Sequence, residues 1–223
     1  MDGLLFFATT AALMVMMINC GLGALGGGPV RDMVRGRPVP WVAVVLTTLA
    51  VAGVVLQSSW PGAMAALDHD PAKSGWWRVF TSVFLQNGGV GGAVWNIATL
   101  TIVAALAQWL WGTWTSAILF LAGVLLPERI DALLGMGGPS TDPRNFAGSS
   151  GATYFLGVSL ALALLTRTRA VKQRVLAAGV PALGLLMWFL QDNGHGLVAV
   201  YGFALAVLIW AGRRLMRRPA QVG

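Results

Sequence analysis

Two short stretches of this chain carry the residue types that acyl-transfer chemistry requires. Gly148-Ser149-Ser150-Gly151 stands where a polar joint enters an apolar run, and Asn193-Gly194-His195 stands where the last apolar run begins. A serine hydroxyl becomes a nucleophile when a neighbouring base takes its proton, and imidazole can take that proton and return it to a leaving group. Glycines at 148 and 151 let backbone and substrate approach closely, and amides at a helix start can face a developing oxyanion. Each stretch alone is ordinary, because a serine at a helix start is more often a cap. The conjunction carries more weight: His195 is the one histidine within an apolar run, and Ser150 lies in the one Gly-x-Ser-Gly of the sequence.

The elements that must position these residues follow from composition. The chain has 223 residues, 57% hydrophobic and only 10% charged, with a mean hydropathy of +0.72. A soluble domain carries roughly 25% charged residues to face water, so lipid must be the solvent for most of this surface. In hydrocarbon every backbone polar group needs an internal partner, which leaves helices or a closed barrel. The apolar runs are long and do not alternate with period two, so the chain reads as an all-α polytopic helical bundle. Apolar segments fall at about 4–26, 41–57, 79–111, 113–127, 151–166, 175–190 and 195–212, which predicts seven spans. Asn87-Gly88-Gly89 and Gly91-Gly92 interrupt the third segment, so its beginning is expected to be a partly buried re-entrant stretch. The first segment lacks a basic n-region and an evident cleavage site, and is read as a helix rather than a signal peptide.

Charge orients the bundle. Arg31, Arg35, Arg37, Arg167, Arg169, Lys172, Arg174, Arg213, Arg214, Arg217 and Arg218 fall in one set of loops, leaving only Lys73, Arg78, Arg129 and Arg144 in the other. The sparse set also collects Asp68, Asp70, Glu128, Asp131, Asp142 and Asp192. The positive-inside rule then places the amino terminus outside and the carboxyl tail in the cytoplasm. The net charge of +7 is thereby a topology signal with some attraction to anionic lipid, and nucleic-acid binding is excluded. No Lys, Arg, Asp or Glu lies in a span core, which disfavours an ion pump or proton-coupled carrier.

With these features in place, residues 41–212 resemble the rhomboid family of intramembrane serine proteases. Trp77-Arg78 followed by Phe80-Thr81 is similar to the family's Trp-Arg element in the first outer loop. Asn96 stands where the family keeps an asparagine, and Gln108 with Gly112 matches a Glu-x-x-x-Gly element with Gln in place of Glu. Gly148-x-Ser150-Gly151 matches the nucleophile motif, Tyr154 the tyrosine that packs on the catalytic histidine, and His195 with Gly202 the histidine helix. The resemblance implies a six-helix core with one extra amino-terminal transmembrane helix: residues 1–40 for that helix and a basic cytoplasmic loop, 41–212 for the core, 213–223 for a basic tail. It further implies a Ser150–His195 dyad, an oxyanion held by Asn96 and the Ser150 amide, an imidazole oriented by Tyr154, and cleavage of transmembrane or membrane-proximal peptide bonds without cofactor or metal.

Two departures point to an alternative. Gly92 stands where the family commonly has an oxyanion histidine, and Val198 stands where it has a small residue, which predicts looser packing of the two catalytic helices. The alternative is a catalytically lapsed rhomboid-like protein that binds membrane proteins or serves as a complex subunit. Its partners, like the protease's substrates, would be membrane proteins in the bilayer, and a bacterial plasma membrane is the expected location.

Other conspicuous residues receive plainer readings. His69 in Asp68-His69-Asp70 is read as a solvated loop residue rather than a metal ligand. Cys20 is read as a packing residue and, being the single cysteine, cannot form an internal disulfide. Trp76, Trp77, Trp109, Trp111 and Trp114 cluster near span ends as an aromatic belt. Asp192 is near enough in sequence to touch His195, but a solvated loop aspartate is the more common outcome.

Overall fold

The computed structural model describes residues 3–135 and 146–216. Pro139, Asp142, Arg144, Arg217 and Arg218 lie outside the described residues. Eleven α-helices occur among those described: α1 (Gly3–Ala24), α2 (Val30–Val34), α3 (Trp41–Ser59), α4 (Ala63–Leu67), α5 (Arg78–Thr81), α6 (Gly89–Trp111), α7 (Thr113–Leu125), α8 (Pro127–Leu134), α9 (Ser150–Arg167), α10 (Val171–Gln191) and α11 (Gly194–Met216). Six of them, α1, α3, α6, α9, α10 and α11, are long and apolar enough to cross a membrane. The chain is a polytopic helical membrane protein.

Six long helices stand where seven spans were expected, because α7 has only 13 residues. At 1.5 Å per residue it rises about 20 Å, short of the roughly 30 Å of a hydrocarbon core. It nevertheless returns the chain across the bundle. Thr115 near its start accepts a hydrogen bond from Arg213 at the end of α11, whereas Gly123 near its end lies against Ala152 and Phe155 at the start of α9. The interrupted third segment is also resolved into parts: α5, a 3-10 turn at Ser82–Phe84, and α6, which opens at Gly88 and Gly89 with φ of 88° and 66°. Both angles lie in the left-handed region that glycine adopts without cost.

Helix α9 is the centre of the bundle, with thirteen buried residues from Ala152 to Leu164. It packs against α1, α6, α7, α10 and α11. Small residues set these approaches, as expected where van der Waals packing rather than hydrophobicity joins helices. A Cβ on Gly157 would sit 2.8 Å from the Met17 sulfur, and one on Gly21 would sit 2.9 Å from Leu106. Gly184 and Gly196 face one another's carbonyls where α10 crosses α11. Cys20 is fully buried in this core.

Helix directions follow from the contacts. Thr10 meets Tyr154, Met17 meets Gly157 and Gly23 meets Leu164, so α1 runs parallel to α9. Thr9 meets Gln191 and Met16 meets Gly179, so α1 runs antiparallel to α10. The starts of α1, α9 and α11 therefore share one end of the bundle. The basic loops gather at the other end, where Arg167 and Arg213 donate to the Leu110 and Trp111 carbonyls that close α6. Gln108 pins this end as well: its Oε1 accepts from the Val42 amide at 2.7 Å and its Nε2 donates to Thr113 at 3.1 Å. A carboxamide can donate and accept at once, which an ionised Glu cannot.

Candidate active site

The chain reaches Ser150 through a sharply constrained approach. Gly148 has φ of 131°, reserved for glycine, and its amide donates to the Ser82 carbonyl at 3.0 Å. Two residues earlier, the Phe146 carbonyl accepts from the His69 amide at 2.8 Å. The loop between α3 and α5 thus holds the segment that leads into Ser150. That loop is organised around Asp68, a largely buried carboxylate that accepts from Lys73 at 2.7 Å and lies 3.6 Å from Arg78. Arg78 also donates to the Asp68 and Ser74 carbonyls and stacks over Trp77, 4.8 Å from the ring centroid. Trp77-Arg78 is therefore part of the frame around the site. His69 pairs with Glu128 of α8 at 3.0 Å, a loop-to-helix contact on the outside of this frame.

Ser150 is the first residue of α9, where backbone N–H groups lack intrahelical partners. Its neighbour Ser149 is wholly buried and its hydroxyl meets no partner among the described residues. Of the two serines only Ser150 reaches an imidazole: its Oγ lies 3.1 Å from His195 Nε2. His195 sits in the first turn of α11, and its amide donates at 3.1 Å to the side-chain Oδ1 of Asn193, which caps the helix. The preceding turn is tight because Asp192 takes a left-handed conformation, φ 50°, closing α10. Asp192 is exposed there, and Tyr154 rather than an acid flanks the imidazole. The Tyr154 ring, one turn along α9 from Ser150, meets the His195 ring edge-on at a centroid distance of 4.8 Å.

Gly202 explains how α9 and α11 come close enough. A Cβ there would overlap the Phe155 backbone. Val198, expected to loosen this packing, is half-buried against the core, and the close approach falls to Gly202 one turn further on.

Asn96 reaches the same place from α6. The position a Cβ would take on Gly148 is 3.9 Å from Ser150 Oγ and 4.0 Å from Asn96 Nδ2. One point beside Ser150 therefore lies near both groups. Asn96 Nδ2 donates to Gln86 Oε1 at 2.9 Å, one of the two N–H bonds its amide can make. Gln86 is buried, and its Nε2 meets no partner among the described residues. Its backbone is held on both sides by the Gln57 side chain, which accepts from the Gln86 amide at 2.8 Å and donates to its carbonyl at 3.1 Å. Gly92 contributes nothing to this cluster. A Cβ there would stand 2.7 Å from the Asn87 carbonyl, so the fold of the glycine-rich entry leaves no room for a side chain. Gly151 differs from both: among the described residues, a Cβ on it would meet no neighbouring element within 4 Å. Its missing side chain leaves space beside Ser150 that packing does not require.

Chemically, an imidazole nitrogen within hydrogen-bond reach of a serine hydroxyl at a helix start can take the hydroxyl proton. The Asn96 side-chain amide is near the same serine, about 4 Å from a point that lies equally close to the Ser150 hydroxyl. Of the residues expected from the sequence, Ser150, His195, Tyr154, Asn96 and Gly148 lie together, Gly151 borders Ser150, Gly202 lies at the helix crossing below them, and Trp77 and Arg78 lie in the loop that frames them. Gln86, Gln57 and Thr10, and the capping role of Asn193, were not expected. Asn193 carried a legible signal, a cap residue directly before Gly194-His195; the two glutamines belong to no motif. A cavity of about 380 Å³ bordered by Trp41, Leu46, Phe80, Phe84 and Phe120 is almost wholly apolar and excludes the serine and the histidine.

None of the protein-family models, curated proteins or solved structures compared with this chain matches it.

Proposed function

We propose that this protein is an intramembrane serine endopeptidase of the rhomboid type, cleaving transmembrane or membrane-proximal peptide bonds of other membrane proteins. The observation that carries the reading is the 3.1 Å contact between Ser150 Oγ and His195 Nε2, made across two parallel helices whose separation Gly202 sets. In this reading Ser150 Oγ attacks the scissile carbonyl carbon as its proton passes to His195 Nε2. The resulting oxyanion accepts from Asn96 Nδ2 and the Ser150 amide. As the peptide C–N bond breaks, His195 returns the proton to the departing amine. Water, deprotonated by the same imidazole, then cleaves the acyl ester and regenerates Ser150. This is a dyad version of serine-histidine logic, with Tyr154 rather than an acid orienting the ring.

The segregation of basic residues supports an orientation with the amino terminus and the dyad end outside and the carboxyl end in the cytoplasm, in a bacterial plasma membrane. Labelling of purified protein by a fluorophosphonate, abolished by Ser150→Ala and by His195→Ala, tests the chemistry. Cleavage of a model membrane substrate that survives Ser150→Ala would overturn the nucleophile.

Gly92 favours a second reading. With no histidine at that position the oxyanion loses a side-chain donor, a change that typically costs about 10²–10³ in rate. A protein that has given up hydrolysis would bind membrane proteins or sit in a larger complex through the same bundle. It would co-purify with stable partners, and Ser150→Ala would leave its cellular role intact.

A further inference from the structure

The extra amino-terminal helix is hydrogen-bonded to the site at Thr10. Thr10 of α1 accepts two hydrogen bonds from the two groups that flank His195. Its backbone carbonyl accepts from the Tyr154 hydroxyl at 2.7 Å, and its Oγ1 accepts from Asn193 Nδ2 at 2.9 Å. The Thr10 hydroxyl proton is directed elsewhere, to the Phe6 carbonyl at 2.7 Å, so its oxygen faces Asn193 as an acceptor. Asn193 is completely buried, and its other end, Oδ1, receives the His195 amide. Next to it, Thr9 bonds Gln191 at the end of α10. The imidazole is thereby bracketed: Asn193 fixes the backbone from which it projects, Tyr154 bounds one side of its ring, and both are anchored to the same turn of α1.

We propose that Thr10 is a positioning residue for His195, so that α1 completes the dyad instead of merely lying alongside the six-helix core. The inference rests on the protease reading for its kinetic consequence but not for its structural one. Without the Thr10 hydroxyl, the Asn193 amide is buried with an unmet donor, a state a protein relieves by moving the side chain. Rotation of Asn193 releases the cap on the first turn of α11, and with it the direction in which the His195 ring points. Small misplacements of a reacting group carry large rate penalties.

Thr10→Val keeps size and the backbone carbonyl while removing the hydroxyl, and Thr10→Ser puts the hydroxyl back. On a model substrate, Thr10→Val should lower kcat roughly 10- to 100-fold with KM changed less than about twofold, and Thr10→Ser should restore most of the loss. The chain has two histidines, so ring ¹⁵N spectra of histidine-labelled protein in detergent resolve His195 from His69, assigned with His69→Gln. Thr10→Val should shift the His195 ring signals and leave those of His69 in place, with Thr10→Ser returning them. Unmoved His195 signals in Thr10→Val overturn the proposal. So does a loss of activity that Thr10→Ser fails to rescue, since that marks Thr10 as a fold support only. A wild-type protein that neither labels nor cleaves would sink the protease reading, while the ring signals would still decide whether Thr10 sets the imidazole.

Discussion

Gly202 of α11 faces the backbone of Phe155 on α9 with no space for a Cβ between them. The contact lies about two turns below the Ser150–His195 pair, so it acts as the fulcrum for their separation. Gly202→Leu forces the helices apart. Overpacking of this kind costs about 1–3 kcal/mol, so the variant should melt lower in detergent and lose fluorophosphonate labelling. Wild-type labelling by Gly202→Leu would show that the dyad does not depend on this crossing.

Gly151 separates function from fold. Because no atom of a neighbouring element among the described residues stands within 4 Å of a Cβ there, Gly151→Val should leave the melting temperature within about 2 °C of wild type, as for surface substitutions that touch nothing. Cleavage of a polypeptide substrate should fall at least about tenfold, since the added methyls occupy the approach to Ser150. A variant with full proteolysis would place the substrate elsewhere.

Asn96→Ala removes the side-chain donor facing the open point beside Ser150 and should lower kcat by about 10²–10³. Gln86→Met keeps volume but takes away the acceptor that aims the Asn96 amide. Its effect should be smaller, and the double variant should be no slower than Asn96→Ala alone, because the two groups act as one unit. Additive losses would mean that Gln86 contributes through some other route.

Asp68 holds the loop that in turn holds Phe146 and Gly148. Asp68→Ala leaves Lys73 and Arg78 facing each other without their shared carboxylate, a partly buried arrangement that should cost about 1–3 kcal/mol. Thermal melting should register this loss, and labelling of Ser150 should slow as its approach segment loosens. Asp68→Asn, which keeps the acceptor oxygen toward the Arg78 side, should fall between the two.

Orientation is open to a chemical check. Cys20 is buried and gives little background to a membrane-impermeant maleimide. In intact cells Asp70→Cys should react and Arg169→Cys should react only after lysis. The reverse pattern would turn the proposed topology over.

The spans were legible because hydrocarbon imposes a one-dimensional rule: a run of apolar residues must be helical and of a certain length, wherever it sits in the bundle. Trp41–Ser59, Val171–Gln191 and Gly194–Met216 follow the apolar runs closely for that reason. Thr113–Leu125 did not reach spanning length, because Gly112 precedes it and Pro127, which begins a separate helix, ends the run. The short helices Val30–Val34 and Ala63–Leu67 left no mark, being too brief to show a period. Gly148, Ser150 and His195 were readable only in conjunction, as the one Gly-x-Ser-Gly and the one histidine of an apolar run, both at segment boundaries. Gln86 and Thr10 were not, since a glutamine or a threonine in an apolar chain declares nothing until its partner is known.

By itself the sequence determined that the chain lies in lipid, roughly where its long helices run, and which end of the bundle gathers positive charge. Each of these depends on local composition. Only the tertiary structure decided that Ser150 rather than Ser149 meets the imidazole, that the glycine-rich entry leaves no room for a side chain at position 92, and that the first helix reaches Tyr154 and Asn193. Those facts depend on how helices rotate and cross, and crossing is set by pairs such as Gly202 with Phe155 and Gly184 with Gly196, whose members lie apart in the chain and become complementary only when packed.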